Sequence, residues 1–313
     1  MRLIVYLPLL IPVLAAVAAR PLAARLEPRD ATWLLTGAAV VLAGCSTVAL
    51  ALLAASAAAR VPIMASMGHY SHNVVHQSDH IPAVTGAVAA VVLTVAAVAV
   101  ALAFRHRARA LAESYRRAAR LHDDGTVVVV RGSAVEAYAL PGWPGRIVVS
   151  GSLLEALDEP GRAALLAHER AHLAGRHHLF TTVAHLAAAA NPVLVPLART
   201  VDYTVERWAD EHAARVTGDR RLVALTIGQV AMMVTPARWP AATLGMVQAA
   251  TRRVSVAWAG PVPRRVAALL GPPPRSRVLL LALAVLVVVL TGACALQAAR
   301  DLHALLELAR AGR

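Results

Sequence analysis

The chain has 313 residues, 58% of them hydrophobic, 4% aromatic and 16% charged, and its formal balance of +13 is carried by arginine alone, because no lysine occurs. An apolar excess of that size, drawn mainly from Ala, Val and Leu, suits a chain that lives in lipid better than one that lives in water. The arginines are spread over several connecting segments instead of being gathered on one face among aromatics, which argues against a nucleic-acid partner, and Cys45 and Cys294, each inside an apolar run, make neither a disulfide framework nor a thiolate metal site.

Four runs, 3–19, 33–59, 81–104 and 278–298, approach or exceed the roughly 20 apolar residues that a helix needs to cross a hydrocarbon core. Arg2 ahead of the first run mimics a signal peptide, but further spans follow at once, so an uncleaved anchor is expected. Orientation follows from arginine placement. Arg20, Arg25 and Arg29 follow the first run and Arg60 alone follows the second, while Arg105, Arg107, Arg109, Arg116, Arg117 and Arg120 follow the third. The organisation expected is therefore three transmembrane helices over 1–104 with an outer loop at 60–80, a cytoplasmic domain over 105–277, a fourth transmembrane helix over 278–298 and a short tail over 299–313. In the outer loop His69, His72, His76 and His80 stand at helical spacings. They read as a polar loop or, more sharply, as a sensor of acid or metal.

Within the cytoplasmic segment, Val127–Val130, Ala137–Leu140 and Arg146–Ser150 read as short strands separated by Gly and Pro turns. The last of them is expected to offer its edge to an extended substrate. Asp158 as cap, Glu159 at the positive helix end and Pro160 in the first turn then predict a helix from about Glu159 toward Gly175.

That helix carries His168-Glu169-Arg170-Ala171-His172. Histidines four apart share a face and can converge on one zinc ion, while Glu169 projects about 100° away toward a water that it can deprotonate. With 13 histidines and 9 glutamates in the chain, random placement would yield this pattern about 0.015 times. Two candidates exist for the third ligand. Glu206 stands one turn before Asp210, so Glu206 can ligate while Asp210 accepts the second ring proton of a ligating histidine. His178 is the alternative, since His168 to His178 spells HExxHxxGxxH. Context favours Glu206, because a site closed by His178 belongs with a broad upstream sheet and a methionine turn, whereas Met232 and Met233 sit in an apolar helical run. Sharing one metal also requires that 181–197 not cross the bilayer, and Asn191, Pro192 and Pro196 interrupt it. His185 there reads as a satisfied core histidine. Tyr138, Tyr203 and His212 are further polar groups that could face a reacting carbonyl.

The stretch from about 137 through 270 resembles the BlaR/MecR-type signal-transducer metallopeptidases, membrane zinc proteases related to the HtpX-like enzymes. The resemblance lies in Ala139-Leu140-Pro141-Gly142, in Arg146-Ile147-Val148-Val149-Ser150 leading into Leu153-Leu154, and in Ala167-His168-Glu169-Arg170-Ala171-His172-Leu173 with Arg176-His177. It continues through Asn191-Pro192, Glu206 with Ala209-Asp210, and Arg265-Val266-Ala267-Ala268-Leu269-Leu270. It implies an α-helical multi-pass membrane protein with an inserted α+β gluzincin-like metallopeptidase domain, a small sheet plus active-site helices. It further implies His168, His172 and Glu206 as zinc ligands, Glu169 as general base and Asp210 behind the ligands. The activity implied is cleavage of a cytoplasmic protein such as a transcriptional repressor at a bacterial plasma membrane. Only about 15 residues follow Ala298 where such transducers carry a penicillin-binding domain, so direct antibiotic sensing is not expected. Quality control of membrane proteins, as in the HtpX-like relatives, and a non-enzymatic metal- or pH-responsive receptor are the competing readings.

Overall fold

The computed structural model describes residues 7–58, 83–120, 125–131, 136–234, 260–275 and 277–311. His69, His72, His76 and His80, and the first residues of the first apolar run, lie outside the described residues. The Ala-, Leu- and Val-rich runs form helices α1 (Leu7–Arg25), α2 (Pro28–Ala58) and α3 (Ala83–Arg120). Among the described residues, two helical stretches are long and apolar enough to cross a membrane, Pro28–Ala55 and Val84–Arg120. Their surroundings differ, because 44% of the apolar window in α2 is buried inside the protein against 6% in α3. Val84, Val88, Val91, Val95 and Val98 of α3 point outward, an apolar stripe larger than soluble surfaces ordinarily carry.

The three strands form where the sequence predicts them, β1 (Val127–Val130) and β3 (Arg146–Ser150) on β-branched residues and β2 (Ala137–Leu140) on an alternating run around Tyr138. Their order is β1-β3-β2, with β1 parallel and β2 antiparallel to β3. This corrects the expectation that β3 offers an edge to substrate. Ile147 and Val149 are wholly buried on one face and Val148 nearly so on the other, and a strand apolar on both faces belongs in the centre of a sheet. The free edge nearest the helices belongs to β2, which packs on the helix that follows.

Ser150 caps α4 (Gly151–Ala156) by accepting from the Leu153 N–H. Asp158 then caps α5 (Glu159–Ala174), its Oδ1 taking the Gly161 N–H at 2.9 Å, as the Asp-Glu-Pro start predicts. After Gly175, Arg176 turns the chain through a left-handed conformation (φ 48°) into α6 (His177–Ala190). The apolar stretch that follows turns back at Asn191. The Asn191 side chain accepts from the Val193 N–H, a 3-10 turn spans Pro192–Leu194, and α7 (Val195–Thr217) returns. His177 stacks on Trp208 and His185 pairs with Asp202, so α6 and α7 run antiparallel.

This hairpin shares one apolar core with the N-terminal helices. Leu35, Ala39 and Leu42 of α2 pack with Phe180, Ala184, Leu194, Leu197 and Val201. Polar pins cross the same interface, with Thr32 donating to Thr204 at 3.0 Å and Asn191 donating to Ser46 at 3.0 Å. Beyond α7, α8 (Arg220–Val234) and α9 (Pro261–Leu270) pack together. Arg220 donates to the Leu269 and Ala268 carbonyls at 3.1 and 2.9 Å and pairs with Glu211, which also receives Arg207 at 3.0 Å. These bonds tie the end of α9 to α7. The last helix, α10 (Val278–Ala311), lies along α2, with Leu280, Leu281 and Ala284 against Leu26, Ala31 and Leu34.

Replacing the Asp158 cap tests whether α5 depends on its start signal. Asp158→Ala is expected to cost about 1 kcal/mol, read as a lower melting midpoint. An unchanged midpoint would show that the cap carries no stability.

Candidate metal centre

Four-residue spacing puts His168 and His172 on one face of α5, and their Nε2 atoms stand 3.1 Å apart. Across from them α7 packs closely, with the small Ala209 wholly buried, and presents Glu206. Glu206 Oε2 is 3.6 Å from His168 Nε2 and Oε1 is 3.6 Å from His172 Nε2. Two imidazoles and a carboxylate bound tetrahedrally at about 2.1 Å from zinc would stand about 3.4 Å from one another, so the donor triangle fits that ion. Among the described residues, these three are the group whose ligand atoms gather closely enough to hold a metal.

One turn further along α7, Asp210 is wholly buried with Oδ1 3.1 Å from His168 Nδ1. Both oxygens of Asp210 also accept from Arg265, at 2.8 Å from Nε and 2.6 Å from Nη2, so one carboxylate pairs with the imidazole and the guanidinium at once. Nη1 of the same arginine reaches Glu206 Oε2 at 2.8 Å. Sequence reasoning placed Asp210 behind the ligands but gave Arg265 no role. Its signal was a buried cation in the otherwise apolar inner face of α9.

Electrostatics follow from this packing. Burial works against charge on His168, but the Asp210 and Glu206 carboxylates outweigh it and raise its pKa from 6.5 to about 9. His172, buried beside that cation, falls to about 4. Burial alone would raise Glu206, yet His168 and Arg265 hold it down at about 2. Glu169 is different. It is 7% exposed, burial pushes its pKa up, and His168 and the Ala139 backbone N–H of β2 only partly oppose that. A carboxylate raised toward neutrality beside a metal site is suited to accept and return a proton.

Other expected residues fall elsewhere. His178 lies on the first turn of α6, its carbonyl accepting from Thr181, and is not in the ligand group. His185 Nε2 sits 2.9 Å from Asp202 Oδ2, the satisfied histidine that the sequence suggests. Tyr203 carries the Arg264 guanidinium over its ring at 4.3 Å. Neither it nor Tyr138 nor His212 lines the cavity that opens beside His168, Glu169, Glu206 and Arg265. That cavity, about 320 Å³, is walled by Leu165, Val223, Ile227, Val230 and Val262.

Residues 101–190 match the family model for Peptidase family M48. The match includes His168, Glu169 and His172 and stops before Glu206. It marks this part of the chain as peptidase-like, and the His-His-Glu group agrees with a metallopeptidase. Neither the curated proteins nor the solved structures give a match.

The raised pKa of His168 has a measurable consequence. A folded value of about 9 against 6.5 unfolded means that its proton stabilises the metal-free protein fully below pH 6.5, a contribution lost as pH rises through about 9. Zinc must displace the same proton, so its apparent affinity is expected to rise by up to about tenfold per pH unit toward pH 9. Melting of the metal-free protein and chelator competition across that range check both. Flat profiles would contradict the ion-pair assignment.

Proposed function

We propose that the chain is a membrane-embedded zinc endopeptidase of the signal-transducer kind, cutting a cytoplasmic protein such as a transcriptional repressor. The observation that carries this reading is the triangle of His168, His172 and Glu206 beside a buried Glu169, within a segment matching a peptidase family. The exposed valine stripe of α3 supports a lipid bilayer around the N-terminal helices, and the arginines 105–120 that follow favour the cytoplasmic side of a bacterial plasma membrane for the peptidase part. The resemblance to BlaR/MecR-type proteins supports the repressor as substrate.

His168, His172 and Glu206 would hold the zinc, with Asp210 and Arg265 fixing His168 and Glu206 behind it. When bound, zinc supplies Lewis acidity toward the scissile carbonyl and toward water. Glu169 takes a proton from the attacking water and delivers it to the departing amine, a shuttle that its burial favours. The substrate lies extended along β2. Glu136 O accepts from Ser150 N–H at 2.9 Å, so by the alternation of an antiparallel ladder the backbone groups of Ala137 and Ala139 point away from β3; the Ala139 N–H meets Glu169, which leaves the Ala137 groups and the Ala139 carbonyl for a substrate strand. Ala137 also borders the apolar cavity, which would receive a large apolar side chain next to the scissile bond.

Glu169→Gln is the decisive variant. It is expected to lower cleavage by about 10²- to 10⁴-fold while zinc content stays that of the unmutated protein, whereas Glu206→Ala should lose the metal. Proteomes of cells carrying the active and the Glu169→Gln forms then name the substrate. One cytoplasmic repressor fragment present only with the active form supports this reading. A spread of misfolded membrane proteins would favour quality control, and identical proteomes with unaltered signalling would leave only a receptor.

A further inference from the structure

We propose that His177 is a positioning residue of the metal centre: its Nδ1 takes the Nδ1 proton of His172 and so holds that imidazole with Nε2 bare toward His168 and Glu206. The inference rests on the zinc reading and adds to it a residue for which the ligand motif itself gives no role.

Four observations converge on it. The Nδ1 atoms of His177 and His172 are 3.0 Å apart, while His172 Nε2 is the atom facing the ligand triangle. His177 is 2% exposed, and its Nε2 has no partner among the described residues. The arrangement of protons follows from ligation through His172 Nε2. A His172 that ligates through Nε2 carries its proton on Nδ1, so His177 must accept at Nδ1 and keep its own proton on Nε2. The backbone is shaped to put the ring there. Gly175 has no side chain where a Cβ would come within 2.3 Å of His177 Nε2, and the left-handed Arg176 swings the chain so that the next side chain returns toward α5. The other face of the ring leans on Trp208, centroids 4.6 Å apart, two residues beyond Glu206 on α7. One side chain therefore touches both helices that supply ligands.

A ring that merely fills space between His172 and Trp208 would predict the opposite mutational pattern, which makes the two roles separable. Zinc affinity of the purified full-length chain is measured by chelator competition. His177→Phe keeps a flat ring against Trp208 but cannot accept, and is expected to weaken zinc binding about 10- to 100-fold. His177→Asn, whose Oδ1 can stand where Nδ1 stands, is expected to recover most of that loss. Gly175→Ala, which drives the ring away, is expected to behave like His177→Phe. Imidazole-nitrogen NMR of the unmutated zinc-bound protein is expected to show the proton on Nδ1 of His172 and on Nε2 of His177. Wild-type affinity in His177→Phe, or a proton on Nδ1 of His177, overturns the inference and leaves the zinc reading standing. An unmutated protein that binds no zinc overturns both.

Discussion

Two carboxylates one turn apart on α7 stay ionised because His168 and a single guanidinium that spans both carboxylates hold their charges. Asp210 has no contact with solvent, and an isolated charge there would be expelled or neutralised. Arg265 grips it with two nitrogens and extends the third to Glu206, so the arginine supports the charge of the oxygen that faces the histidines and fixes the orientation of the group behind His168. The geometry of the centre therefore depends on α9, a short helix outside the ligand motif, and on the Arg220 and Glu211 bonds that tie its end to α7.

The second requirement is the reversal at Asn191. Residues 177–217 are helical almost throughout, and an unbroken helix of that length would carry Glu206 far from the histidines. The Asn-Pro break bends the segment into a hairpin whose two arms bury their apolar faces on α2, while the polar stripe of α7 turns to α5. The helix that both arms pack on, α2, is thus one of the two among the described residues that are long and apolar enough to cross a membrane.

Much of this was legible because it is local. Strand limits followed from short runs set between Gly and Pro, the start of α5 from Asp158 and Pro160, and the convergence of His168 and His172 from the period of a helix. Glu206 and Asp210 followed from their own four-residue spacing once a metal was supposed. What sequence could not supply was pairing at a distance. The position of β3 in the middle of the sheet depends on which strands find it, although its unbroken apolar run was a hint that went unused. Arg265 acts 55 residues from Asp210, and nothing in local pattern connects them. His177 has no local signal of its role, because the glycine that makes room for its ring has meaning only in three dimensions.

That 55-residue separation carries a consequence for biosynthesis. A ribosome makes the two histidines first, Glu206 some way later and Arg265 last of the set. Until the arginine emerges and α9 docks, Asp210 has only the His168 imidazole to accompany it into the interior, and the two bonds that orient its carboxylate are missing. The centre is completed only when nearly the whole peptidase region has been translated, and a nascent or truncated chain lacking α9 holds its histidines without the geometry that would arm them.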